Sequence, residues 1–210
     1  MTKVIPAILE ASSAECRRKL QLVRQLTDRV QLDIIDGELV DNRTVQPQDL
    51  QPPAGLKVDI HLMVKRPKEY VAPSVKLRPY TIIVQYDGAE DVAGAVEKIK
   101  SNGIRAGVAI NPDTELDKLS GFIDRLSYIL VMAYPAGFAG QKLQTKVLSR
   151  AVELRDLGFD GEVGLDGGVA TESLKKIASA KFDVVNTNSY LFGAENILTR
   201  YHELMEVLNT

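Results

Sequence analysis

The feature that most constrains this chain is a regular alternation of short apolar runs with longer segments of helical period. Residues 4–8, 30–35, 56–62, 80–85, 104–110, 128–132, 162–165 and 183–186 read as strands. After the first run, Ser12 and Glu15 stand at capping-box spacing. Cys16, Leu20, Val23 and Leu26 then recur every three or four residues, as a helix facing a core requires. Val92, Ala95, Val96 and Ile99 repeat the pattern, as do Val147, Ala151 and Leu154 before a Leu157-Gly158 helix end. Ile197, Leu198, Tyr201, Leu204, Met205 and Leu208 close the chain as an amphipathic stripe. The second connection reads mostly as loop. Such alternation implies parallel strands joined by right-handed crossovers, and eight units of this kind can close into a (β/α)8 TIM barrel. An open doubly wound sheet competes, because periodicity does not separate the two. No composition shift marks a linker, so residues 1–210 are expected to form one barrel domain.

Charge and cysteine content narrow the function. A net charge of −2 lacks the basic footprint of a nucleic-acid binder. With 45% hydrophobic and 26% charged residues the composition is that of a globular protein. The lone Cys16 cannot form an intrachain disulfide, and no Cys/His cluster suggests structural zinc. The apolar segment at residues 4–9 is too short for a signal peptide or a membrane span, so no membrane association and a cytoplasmic location are expected.

Polar residues at the C-terminal ends of barrel strands are the informative ones, because barrel chemistry sits there. Period-two geometry puts Gln31, Asp33 and Ile35 on one strand face, and Asp59, His61 and Met63 on another. Asp166-Gly167-Gly168 ends a strand with a carboxylate and two glycines, and residues 132–141 form a glycine-containing loop after the sixth strand. Asp36-Gly37 is better read as a turn, and His202 as part of the terminal helix. Gln31 and Asp33 are harder to dismiss, since a buried carboxylate is costly unless paired or bound to a cation. Inside a barrel, two carboxylates, an imidazole and a carboxamide oxygen from Gln31, Asp33, His61 and Asp166 can hold one divalent metal.

Together these motifs resemble the ribulose-phosphate 3-epimerase family over nearly the whole chain. Pro6-Ala7-Ile8-Leu9 looks like its opening strand, and Gln31-Leu32-Asp33-Ile34-Ile35-Asp36-Gly37-Glu38-Leu39-Val40 resembles its HxDxMDGxFV segment. Asp59-Ile60-His61-Leu62-Met63 matches DxHLM, and Ala106-Gly107-Val108-Ala109-Ile110-Asn111-Pro112 is similar to AGxALNP. Gly137-Phe138-Ala139-Gly140-Gln141 is similar to GFGGQ, and Asp166-Gly167-Gly168-Val169 to DGGV. The resemblance implies a barrel of the ribulose-phosphate-binding type that inverts C3 of ribulose 5-phosphate to give xylulose 5-phosphate. It makes Asp33 and Asp166 the acid/base pair, and assigns Gln31, Asp33, His61 and Asp166 to zinc, iron(II) or manganese. Met63 and Met132 would pack around the enediolate, while backbone at Gly137, Ala139, Gly140, Gly167, Gly168, Asn188 and Ser189 would hold the phosphate. It also implies a homo-oligomer acting on a small phosphorylated sugar.

The departures cluster where function is expected. Gln31 replaces a metal-binding histidine, Ala7 a serine and Ile35 a site methionine. Gln85 stands where a histidine is usual, Pro135-Ala136 replaces Asn-Pro, and Ala139 and Asn188 replace glycines. Ile35 also occupies the place of the lysine that related phosphate-binding decarboxylases need. Three readings follow: an epimerase with a weaker or different metal, an isomerase or epimerase for another phosphosugar, or a non-catalytic phosphosugar-binding barrel.

Overall fold

The computed structural model describes residues 1–138 and 140–210, so the expected substrate contact at Ala139 lies outside the described residues. The apolar runs are eight parallel strands, each within a residue or two of its expected bounds. They are β1 (Lys3–Ile8), β2 (Arg29–Ile35), β3 (Lys57–Met63), β4 (Thr81–Gln85), β5 (Arg105–Ile110), β6 (Tyr128–Met132), β7 (Glu162–Asp166) and β8 (Val184–Thr187). They follow one another around a closed barrel, with β8 pairing back onto β1 through Lys3 and Val184. Closure leaves no free sheet edge and rules out the open sheet.

Among the described residues, seven α-helices surround the strands: α1 (Ser13–Val23), α2 (Pro67–Val75), α3 (Val92–Ser101), α4 (Arg150–Asp156), α5 (Leu174–Ala178), α6 (Ser189–Phe192) and α7 (Ile197–Val207). Ser12 caps α1 by accepting the Glu15 N–H at 3.4 Å, and Cys16, Leu20 and Val23 face inward as their spacing predicts. The second connection holds only the 3₁₀ turn Pro47–Asp49. The fifth departs from the expected alternation, with 3₁₀ turns at Leu116–Leu119 and Ile123–Arg125 in place of an α-helix. Its buried residues Leu116, Leu119 and Phe122 recur every third position, the period of a 3₁₀ turn, and Gly121 interrupts any longer helix. Among the described residues, no helix is long and apolar enough to cross a membrane.

Outward-facing strand residues such as Ile34, Ile60, Val84 and Val108 pack against the helices in one large apolar core. The barrel interior is different. Ile5, Ile83, Ala109, Tyr128, Leu130, Met132 and Val184 form a small apolar cluster there. Gln31, Asp33, Asp59, His61, Thr81, Gln85, Asp166 and Asn186 are buried polar residues at alternating strand positions. At the N-terminal floor, Arg29 donates from Nε to Asp59 at 2.7 Å and from both terminal nitrogens to Glu162 at 2.8 Å. The Tyr80 ring covers this pair, 4.9 Å from the Arg29 guanidinium and 4.4 Å from that of Arg105.

Gly164 on β7 is set by sterics. A Cβ there would fall on the hydroxyl of the fully buried Tyr128 and lie 3.0 Å from Leu130. Gly164→Ala is therefore expected to destabilise the barrel by about 1–3 kcal/mol, the usual cost of overpacking. Urea unfolding of the variant checks this; an unchanged midpoint would mean that Tyr128 moves aside freely.

Candidate active site

Strand register brings the chemistry together at the C-terminal mouth. Asp33 on β2 lies opposite His61 on β3, and Asp166 on β7 lies between Met132 on β6 and Asn186 on β8. All point inward, and one ligand atom from each of Asp33, His61 and Asp166 lies within 4.8 Å of the others. Asp59, two residues before His61 on the same face, does not join them, because Arg29 holds it at the barrel floor.

The orientation of His61 follows from a chain of partners. The Ala136 N–H can only donate, so the Asn111 side chain must present Oδ1 to it, at 3.3 Å. The same Oδ1 accepts from Gln85 Nε2 at 3.3 Å, which turns Gln85 Oε1 toward His61 Nε2 at 3.1 Å. In its neutral form His61 therefore carries its proton on Nε2 and aims the Nδ1 lone pair inward, 3.5 Å from Asp33 Oδ1 and 3.8 Å from Asp166 Oδ2. Among the described residues that Nδ1, fully buried, has no hydrogen-bond partner. An orphaned imidazole lone pair facing two carboxylates fits a divalent ion that takes mixed nitrogen and oxygen ligands. Gln85, in place of a usual histidine, does the tautomer-fixing that metal-binding imidazoles need.

Gln31 also reaches the centre, with its nitrogen end leading. Its Nε2 donates to Asp33 Oδ1 at 2.8 Å and to Asp166 Oδ2 at 2.6 Å, while its oxygen accepts from Asn186 Nδ2. Burial, reinforced by the neighbouring Asp33 charge, pushes Asp166 up to about 7 against the opposing pull of His61 and Gln31. Burial works against a charged His61, but the Asp33 and Asp166 carboxylates outweigh it and hold the imidazole above its ordinary value.

Above the carboxylates opens a cavity of about 570 Å3. Asp33, Met63, Met132, Gly137, Gly140, Asp166, Gly167, Gly168, Asn188 and Ser189 all line it, whereas Gln31 and His61 lie fully buried beneath. Gly167 and Gly168 take φ of +84° and +66°, which their glycine identity permits at low cost. Asn188, which stands in place of a glycine, has φ −112°, so the turn here does not take the positive φ that would favour glycine.

Four residues not expected from the sequence also reach the site: Tyr134, Lys142 and Lys176 line the cavity, and Asn186 bonds Gln31 beneath it. Tyr134 lines the cavity and lies over Gly167, where a Cβ would sit 2.5 Å from its hydroxyl. Burial and the Asp166 charge push the Tyr134 phenol up, so it stays a neutral hydrogen-bond donor. Asn186 carried a readable signal, a polar residue two positions after Val184 on an apolar strand.

Asp36 proves to be a turn residue. Its carboxylate accepts the N–H groups of Glu38 at 2.8 Å, Leu39 at 3.0 Å and Lys65 at 2.7 Å. Burial alone would raise its pKa, but these three donors outweigh it and hold the group below its ordinary value. A depressed folded pKa gives stability that is present above the unfolded value and lost as pH falls through the folded one. Asp36→Asn is expected to weaken the protein at pH 7 and to narrow its gap from the unsubstituted chain as pH falls toward 3. Urea midpoints across that range test it, and a gap independent of pH would contradict it.

The closed barrel carries at its C-terminal mouth a buried Asp–His–Asp cluster able to ligate a metal, the arrangement of an enzyme active site and consistent with one that isomerises phosphosugars. Residues 3–192 match the Ribulose-phosphate 3 epimerase family, and the chain belongs to that family. It is 28% identical over 202 residues to the ribulose-phosphate 3-epimerase of Bacillus subtilis, covering 92% of this chain and 93% of that one. It is 29% identical over 203 residues to the chloroplastic ribulose-5-phosphate-3-epimerase of Arabidopsis thaliana, covering 92% and 72%. Among solved structures, 3-hexulose-6-phosphate synthase from Salmonella typhimurium superposes with a TM-score of 0.72 at 16% identity, covering 99% of this chain and 98% of that one. At that identity the likeness speaks for the fold alone.

Proposed function

We propose that this chain inverts C3 of a pentulose 5-phosphate, interconverting ribulose 5-phosphate and xylulose 5-phosphate. The observation that carries the reading is the meeting of Asp33 and Asp166 on one amide nitrogen, 2.8 and 2.6 Å away, at the base of the cavity. Inversion beside a ketone needs a base on one face and an acid on the other. With Asp166 held up at about 7 by its burial, that carboxyl can both give and take a proton near neutral pH. Asp33 takes the C3 proton in one direction and Asp166 returns one to the opposite face; the reverse reaction exchanges the roles. Met63 and Met132 pack beside the reacting carbons and exclude water, and backbone amides at Gly137, Gly140, Gly167, Gly168, Asn188 and Ser189 hold the phosphate. Asp33, His61 and Asp166 would hold a divalent ion (zinc, iron(II) or manganese), which when bound supplies positive charge for the enediolate oxygens.

A second reading, the same proton chemistry on another phosphosugar, is favoured by Tyr134, which crowds the Gly167 backbone expected to face the phosphate. The test is incubation of the protein with ribulose 5-phosphate, with each of the three metals added in turn, and direct assay of xylulose 5-phosphate. Product formation supports the first reading. Its absence, together with turnover of a different ketose or aldose phosphate, would move the assignment to the second.

A further inference from the structure

We propose that Gln31 and Asn186 form a two-position carboxamide latch that turns over when a divalent cation binds. The inference rests on the metal-binding part of the proposed function. A carboxamide has a donor end and an acceptor end, and Gln31 has chosen: Nε2 faces the carboxylates and Oε1 faces Asn186. The oxygens it engages, Asp33 Oδ1 and Asp166 Oδ2, are the same two that lie nearest the inward lone pair of His61. An N–H donor and a cation therefore compete for one pair of oxygens. Turning the Gln31 carboxamide end for end removes the conflict, because its oxygen then faces the cation and its NH2 faces Asn186. Asn186 must turn with it to offer an acceptor. That acceptor exists: Asn186 Oδ1 is buried and without a partner in the present arrangement. Both side chains are fully buried, so water is poorly placed to substitute for either partner. Asn186 is thus a positioning residue that sets cation affinity through Gln31, without touching the cation.

The test is zinc affinity, measured by calorimetry against a competing chelator. Asn186→Asp leaves only acceptors at that position and drives the Gln31 nitrogen toward it. The variant's added charge also attracts zinc generally, so the same substitution is made in a Gln31→Met background, where no carboxamide can turn. The latch predicts that Asn186→Asp tightens zinc roughly tenfold more with Gln31 present than with Gln31→Met, on the scale of outer-shell effects on metal sites. Equal tightening in both backgrounds would overturn it. Should the buried charge unfold the variants, 15N NMR of the unsubstituted protein decides. On saturation with zinc, the Gln31 amide protons are expected to lose contacts to the β-protons of Asp33 and Asp166 and gain them to those of Asn186. Zinc binding without that exchange sinks the latch alone, whereas no zinc binding at all sinks the metal site with it.

Discussion

Asparagine at position 33 or 166 is expected to lower turnover of ribulose 5-phosphate by roughly a hundred- to ten-thousand-fold, the contribution of a positioned acid or base. The change is nearly isosteric, and each asparagine can still accept the Gln31 N–H, so the barrel should persist. In the proposed reaction, Asp33→Asn removes the group that takes the C3 proton, and Asp166→Asn its counterpart on the opposite face. Inversion needs both, so the loss should be similar in the two directions of reaction. Steady-state rates beside thermal unfolding curves check this. Either variant retaining more than about a tenth of the parent rate with metal supplied would remove that aspartate from the acid/base role.

The largest loss of stability is expected at the other end of the barrel. Arg29 is the hub of the floor, paired to the fully buried Asp59 at 2.7 Å and held by both oxygens of Glu162 at 2.8 Å. Arg29→Met keeps the aliphatic bulk but leaves two carboxylates without their principal cation. Removing one partner of a buried pair costs about 3–5 kcal/mol, because the remaining charge stays desolvated. For a chain of this size that corresponds to a fall of roughly 10 °C in Tm. Adding Asp59→Leu removes the most buried of the stranded charges and is expected to recover part of the loss. A single Arg29→Met variant that melts within a degree or two of the parent would show that the floor is solvated after all. Because the floor lies away from the mouth, kcat of the surviving folded fraction should change little.

The same contrast between local and distant pairing explains what could be read from the chain. The strands were legible because each is a short apolar run between turn residues, and Asp33, His61 and Asp166 because they break that pattern near strand ends. Arg29 was invisible as a hub: it precedes the apolar run of β2, and its partner Glu162 lies 133 residues away. Asp59 shared a face with His61 on period-two grounds, yet one further step along β3 puts it on the floor rather than in the metal cluster. Gln31 was legible as a member of the site, but the end of the carboxamide that faces inward depends on Asn186, 155 residues on. Tyr134 lay in a loop without period, so nothing local indicated that its ring would cover Gly167. The fifth connection departed because a helix was expected there from the alternation alone, whereas Leu116, Leu119 and Phe122 are spaced for 3₁₀ turns.

Solvent-deuterium exchange reads the proposed proton transfer at C3 by Asp33 and Asp166 atom by atom. Ribulose 5-phosphate is incubated in deuterium oxide with the protein and zinc, iron(II) or manganese, then with chelator, and followed by NMR. Deuterium is expected at C3 with the growth of xylulose 5-phosphate, and both signals are expected to be lost in Asp33→Asn and Asp166→Asn. Folded protein that leaves C3 protonated under every metal would contradict it.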